Sequence, residues 1–474
     1  VSEREAVPPD MDPETFRALG YRVVDEMAHW LAGEAADPVL EPISGEWLRA
    51  LLEEPPPRAA SPTDDVLQTF RDVIARYSRR NGHPRYLAYV SASAAPAAVL
   101  ADALASMLNQ NVTAWRSAPA AAAVERRVIA WLGELTGFGA CEGLLLGGGS
   151  AANLHALGCA IARAGSRRPD VARERFAVYT STQTHLSLDK AARFLGLGPV
   201  RALAVDERRR LRPDALREAI RADREAGLVP ALVCGSAGTA NTGTIDPLAE
   251  IAAVCRDEAV WFHVDGAYGA PAALTDGYAW LRDDFSQADS LSLDPHKWLY
   301  APLDAGCLLV RDGAAARAAY SRTAAYIAVS QTAPEENHAF WDYGLELSRR
   351  FRALKIWFLF KLHGVDAIAR SIDANIDVRR HLDRLIDAEP KLEPLGSELS
   401  ISCFRYRRPG LDATALDRVN RRILEDLLAG GGALLSPTTL DGRFALRICI
   451  VNFRTRLADV EWLAREVVRL GDAV

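Results

Sequence analysis

The chain has 474 residues, 49% of them hydrophobic and 25% charged, enough for a globular protein with a large core and two or three structural units. A net charge of −6 and a pI near 5.9 give no basic footprint for nucleic acid. No apolar run approaches the roughly 20 residues of a membrane span, and the opening Val1-Ser-Glu-Arg-Glu5 is charged where a secretory signal would be apolar. The seven cysteines are odd in number, scattered and without a Cys-x-x-Cys pair. They predict no metal site and no disulfide framework, and a cytoplasmic, reduced protein.

Along the chain, Met11 to Gly33 reads as an amphipathic helix, opened by Asp12 as cap and Pro13 in its first turn. A short helix near Glu46–Glu53 stops at Pro55-Pro-Pro57, and Ser61-Pro-Thr-Asp64 opens a third that runs to about Arg79. Three striped helices joined by prolines need another surface to cover. Ala-rich helices are predicted over 94–108 and 119–137. Strand-like runs follow at Leu144–Leu146, Phe176–Thr180, Arg201–Val205, Ala231–Cys234, Val260–Val264, Ser290–Leu293 and Gly306–Val310, mostly separated by helical patterns. This alternation predicts an α/β fold: a seven-stranded, mainly parallel sheet with helices on both faces. The last run follows its predecessor too closely for a crossover and is expected to be antiparallel. The tail alternates helix 371–388, strand Leu399–Tyr406, helix 413–428, strand Phe444–Val451 and helix 457–469, a small α+β unit. The expected division is 1–84, 85–369 and 370–474.

Three stretches carry chemistry. In Asp289-Ser-Leu-Ser-Leu-Asp-Pro-His-Lys297-Trp298, Pro295 ends the strand and leaves His296 and Lys297 at its carboxyl end, where open α/β sheets bind ligands. The chain keeps only five lysines among 56 basic residues (190, 297, 355, 361 and 391), and none of the others ends a buried strand. A desolvated lysine attacks carbonyls, which a guanidinium cannot do. In Trp261-Phe-His-Val-Asp265-Gly-Ala267-Tyr268, an apolar strand ends in a carboxylate, 32 residues before Lys297 and so about one strand-helix-strand unit away. Such a carboxylate can keep a pyridine nitrogen protonated. Gly147-Gly-Gly-Ser150 opens a helix whose amides can hold a phosphate.

Together, His263-Val-Asp-x-Ala267 and Asp294-Pro-His-Lys-Trp298 resemble the pyridoxal-phosphate-dependent amino acid decarboxylases of group II, the aromatic-L-amino-acid decarboxylase type, over about Met11 to Arg469. The resemblance implies a fold type I enzyme with pyridoxal 5'-phosphate as cofactor and an L-amino acid as substrate. It implies a homodimer with shared active sites, the N-terminal segment wrapping the second subunit.

By the same resemblance, Lys297 holds the cofactor, Asp265 faces its ring nitrogen, Ala267 packs under the ring and His185 stacks on it near the substrate's carboxylate. Gly149, Ser150 and His296 would contact the phosphate. Asp294 stands where many relatives carry Asn, and Thr239 ends another strand near the cofactor. Tyr89 would line the substrate pocket, and Ser348 falls where tyrosine-preferring plant relatives carry Ser. Asn81, Asn111 and Thr113 replace the larger apolar residues of animal enzymes, a more polar pocket than theirs. Tyr326, in the stretch Ser321–Tyr343 ahead of a helix starting near Leu345, its helical pattern clear from Phe351 to His363, matches the tyrosine that protonates the α-carbon. The implied reaction releases CO2 and the amine, with tyrosine-like substrates expected first and tryptophan next. Oxidative conversion to an aldehyde, or decarboxylation of a non-aromatic amino acid, are the alternatives.

Overall fold

The computed structural model describes residues 10–322 and 338–474; Tyr326 lies outside them. Seven strands form the larger sheet: β1 (Glu142–Leu146), β2 (Phe176–Ser181), β3 (Val200–Leu203), β4 (Val229–Ser236), β5 (Trp261–Asp265), β6 (Ser290–Leu293) and β7 (Gly306–Val310), in the order β1-β7-β6-β5-β4-β2-β3. Helices Gly149–Arg167, Ser187–Phe194, Pro213–Glu225 and Leu248–Asp257 join most of them. All seven sequence-predicted runs are strands.

The interior strands are buried along nearly their whole length, as parallel strands covered on both faces are, whereas edge strand β3 is half exposed. Strand β7 runs antiparallel to both β6 and β1, because residues 294–305 are too few for a crossover helix. It slides in where Gly306 lets it pass the backbone of Gly148; a Cβ there would collide. Since β7 reverses direction between them, β1, β2, β4, β5 and β6 all end at one sheet edge.

The second sheet is antiparallel: β8 (Leu392–Glu398), β9 (Ile401–Tyr406), β10 (Ser436–Leu440) and β11 (Arg443–Cys449), in the order β10-β11-β9-β8. The sequence reading has only β9 and β11. Leu399, Ile401, Cys403, Ala445 and Cys449 join the apolar core of the large sheet, while Phe404, Leu446 and Ile448 pack with helices Val365–Ala388, Ala413–Ala429 and Leu457–Ala473. The chain near Tyr86 bridges to Leu434, bringing Tyr89 beside β10.

Two other expectations shift. The third N-terminal helix ends at Thr69 and continues as a π-helical turn over Phe70–Ala75. The helical pattern from Phe351 to His363 is a helix over Ala353–His363, while the start near Leu345 is not helical, because Arg349 and Arg352 turn inward to Glu125, Glu346 and Asp304. Among the described residues, no helix is long and apolar enough to cross a membrane.

Candidate active site

Shared strand ends explain the convergence. Ser236 pairs with Asp265 and Asp265 with Ser292, so residues following β4, β5 and β6 emerge side by side. After β6 the chain turns tightly, with Lys297 N–H donating to Asp294 O at 2.8 Å. The Lys297 ammonium then lies 2.9 Å from Asp294 Oδ2, and its side chain is a quarter exposed.

Asp294 is buried. Its Oδ2 also accepts the Gly149 amide at 3.1 Å, while Oδ1 has no partner among the described residues. Gly149 opens helix Gly149–Arg167 and leaves no room for a side chain: a Cβ would stand 2.9 Å from that of Ala267. His296 accepts the Ala305 amide on Nδ1 at 3.0 Å, so its Nε2–H faces Asp294 Oδ2, 3.6 Å away. Burial, ahead of the nearby charges, lowers its pKa and favours the neutral ring. Ser150 is exposed at the helix start.

Asp265 ends β5. Its Oδ2 accepts from Asn153 at 2.9 Å, and its Oδ1 accepts from the Ala267 amide at 3.1 Å and the Ser292 hydroxyl at 3.2 Å. Burial alone would raise its pKa; the Asn153 hydrogen bond, with His263, Lys297 and the Ala267 amide, more than reverses this, so it lies below the usual carboxylate value. The carboxylate is therefore charged at neutral pH. His263 is fully buried, bonded to Ser290 and Asn153, and burial pushes its pKa down to about 4.

His185 follows β2, exposed, with Nδ1 2.8 Å from Ser187 Oγ. Thr239, in the turn after β4, accepts the Thr244 amide on its hydroxyl. Tyr89 is 51% exposed, and its carbonyl accepts from Arg447, which also donates to Asn241 O. Asn111, Thr113 and Ser348 form a separate group. Asn111 Oδ1 accepts the Arg349 amide at 2.8 Å and Thr113 O accepts from Phe340, and no described hydrogen bond joins them to Lys297.

Three residues escaped the sequence reading. Asn153 is a buried amide on an Ala- and Leu-rich helix face, and Ser187 is a buried hydroxyl two residues past His185. Arg447 is a buried guanidinium inside apolar β11, with no carboxylate partner among the described residues. Each is polar in an apolar row, which is the signal that marks it.

These groups fit pyridoxal phosphate. The helix start at Gly149 carries amides for a phosphate, one of them now held by Asp294, the neutral His296 offers a donor, Lys297 supplies an amine and Asp265 a charged carboxylate for a ring nitrogen. A cleft of about 520 Å³ lined by Arg208, Asp246, Trp280 and Glu398 contains none of them.

A mainly parallel sheet with a small C-terminal sheet, and a lysine, a carboxylate and a helix start at one edge, defines a fold type I pyridoxal-phosphate enzyme. The pyridoxal-dependent decarboxylase conserved domain matches residues 46–407, and the chain belongs to that family. It is 35% identical to an aromatic-L-amino-acid decarboxylase of Bacillus atrophaeus, over 98% of this chain and 97% of that one. It is 29% identical to a phenylacetaldehyde synthase of Petunia hybrida, covering 93% and 91%. The crystal structure of Oryza sativa TDC with PLP and tryptamine superposes with a TM-score of 0.94 at 27% identity, covering 99% of both chains. The protein is a pyridoxal-phosphate-dependent carboxy-lyase acting on an amino acid.

Proposed function

We propose that the substrate is an aromatic L-amino acid, tyrosine-like first and tryptophan next, converted to its amine and CO2. The carrying observation is Arg447: a buried cation without a carboxylate partner among the described residues, bonded to the carbonyl of Tyr89. It offers a charge to the substrate's carboxylate beside an aromatic wall. The names of the Bacillus and Oryza relatives support the same class.

In this reading Lys297 would hold the cofactor through its amine. Pyridoxal phosphate, once bound, supplies an electron sink for the pair freed when the carboxylate leaves. Asp265 would keep the ring nitrogen protonated, Ala267 would support the ring, and His185 would face the substrate's carboxylate. Gly149, Ser150 and His296 would contact the phosphate, with Asp294 beside it and Thr239 near the cofactor. Tyr326 delivers the proton to the α-carbon. The Petunia relative's name keeps a second reading open, aldehyde formation, and Asn81, Asn111 and Thr113 favour tolerance of more polar side chains.

The working unit is a homodimer with shared sites. Phe16, Tyr21, Trp47 and Ile74 on the N-terminal segment are exposed, as are Leu100, Leu104, Met107 and Leu108 on the helix leading to Asn111. Asn111, Thr113 and Ser348 would then serve the partner's site, with Tyr89 in its own. The proposed divisions are 1–84, 85–369 and 370–474, the last two joined through the helix Val365–Ala388. Seven free thiols suit the cytoplasm.

The test is CO2 release across a panel of amino acids. Turnover of tyrosine or tryptophan is expected, and turnover of glutamate or diaminobutyrate without any aromatic contradicts the substrate class.

A further inference from the structure

A chain of buried polar groups runs beneath the site, and its donors can be assigned from the Asp265 end. The Trp261 indole N–H can only donate, and it donates to Ser290 Oγ at 2.8 Å. Ser290 Oγ, 2.9 Å from His263 Nδ1, has a second lone pair, and it is the Asp265 end of the chain that makes Nδ1 the acceptor and leaves the neutral ring's proton on Nε2. That Nε2–H donates to Asn153 Oδ1 at 3.0 Å. At the far end the Asp265 carboxylate can only accept, and it accepts from Asn153 Nδ2 at 2.9 Å. Flipping the Asn153 amide would set its oxygen against the carboxylate, so the Asp265 end fixes the orientation and the Trp261 end accommodates it.

Asn153 Nδ2 has a second hydrogen, which goes to Ser187 Oγ at 3.0 Å. Ser187 Oγ is thus an acceptor toward Asn153, and its own hydrogen is free to donate to His185 Nδ1 at 2.8 Å. The Ser187 amide approaches the same Nδ1 at 3.3 Å. A nitrogen receiving two donors carries no proton in the neutral ring. Asn153, His263 and Ser187 are all at least 96% buried, so water does not compete for these bonds.

We infer that Asn153 is a positioning residue that ties Asp265 to His185 and, through Ser187, holds His185 as the Nε2–H tautomer, so that His185 presents a hydrogen-bond donor to the substrate's carboxylate. The tautomer follows from the bonds alone; its use toward a substrate rests on the decarboxylase reading above. One amide serves both faces of the site: its first hydrogen holds the carboxylate meant for the ring nitrogen, and its second sets which nitrogen of His185 points outward.

The experiment is 15N NMR of the holoenzyme labelled at histidine, with His185→Gln assigning the resonance. In the neutral ring, wild type should show an unprotonated Nδ1 and a protonated Nε2. Asn153→Ala and Ser187→Ala should move Nδ1 toward the protonated range, while Ser187→Thr, which keeps the hydroxyl, should retain the wild-type pattern. Near-UV circular dichroism verifies that the variants are folded. In Ser187→Ala, kcat/KM should fall about tenfold with cofactor content unchanged, the loss of about one hydrogen bond. A protonated Nδ1 in wild type, or a wild-type Nδ1 in either alanine variant, overturns the inference. A wild type that keeps the expected tautomer but releases no CO2 from any amino acid leaves the positioning intact and removes the functional reading instead.

Discussion

Lys297 Nζ and Asp294 Oδ2 stand 2.9 Å apart across one turn, and the same oxygen accepts the first amide of the helix that begins at Gly149. Asp294 therefore occupies the anion position at that helix start while holding the ammonium. A phosphate arriving there competes with a fixed negative charge for the same N–H. Asp294→Asn is expected to bind pyridoxal phosphate about tenfold tighter, the equivalent of about 1.4 kcal/mol. Equilibrium dialysis checks this; weaker binding in the variant would show that the carboxylate helps the cofactor in.

The Arg349–Glu125 pair predicts stability. Both side chains are fully buried, and Arg349 also donates to Val112 O and Leu145 O while its amide bonds Asn111. Removing one member strands the other charge, at a cost of about 3–5 kcal/mol. Glu125→Ala should lower the urea midpoint and loosen the 111–113 segment. A midpoint equal to wild type contradicts the assignment.

Acid should destabilise the fold. Burial pushes His83, His263 and His338 down to about 4, aided for His83 by Arg85 and for His338 by Arg126. Their folded values lie below the unfolded value of about 6.5, so the unfolded chain takes up protons first. Stability present above about pH 6.5 is lost as pH falls toward 4, by about 1.4 kcal/mol per pH unit for each histidine. Asp246, raised to about 6 by burial, acts with the opposite sign between about 4 and 6. The three histidines outweigh it, so the urea midpoint at pH 5.5 should lie below that at pH 7; an equal or higher midpoint contradicts this.

Tyr326→Phe tests the product. The variant should keep its cofactor and release CO2, but shift product from amine toward aldehyde, with ammonia, hydrogen peroxide and uptake of oxygen. Oxygen-electrode and amine assays on the same sample measure the shift. Amine formation at the wild-type rate would remove Tyr326 as the proton donor.

The large sheet was legible because buried strands are apolar runs bounded by breakers, and β7's direction followed from a connection too short to cross over. Strands β8 and β10 were not. Pro394, Gly396 and Pro437 interrupt them, and both are edge strands, where proline is tolerated and apolar patterning is weak. The pattern from Phe351 to His363 is legible as a helix, but the sequence also admits a start near Leu345, because Arg349 and Arg352 look like exposed helical charges and only the fold supplies Glu125 and Asp304. At the site, Lys297, Asp265 and Gly149 announce themselves by ending strands or opening a helix. Asn153 and Arg447 act through bonds to residues 34 to 358 positions away, and Ser187, though two residues from His185, is tied to the site by the bond to Asn153, which spacing along one chain does not reveal.

The most direct test of the account is to reduce the holoenzyme with borohydride and map the pyridoxyl group by peptide mass spectrometry. The account predicts one modified residue, Lys297, in the peptide Asp294-Pro-His-Lys-Trp298, and no attachment in Lys297→Ala. A pyridoxyl group on Lys190, Lys355, Lys361 or Lys391 of native enzyme, with Lys297 unmodified, would contradict it.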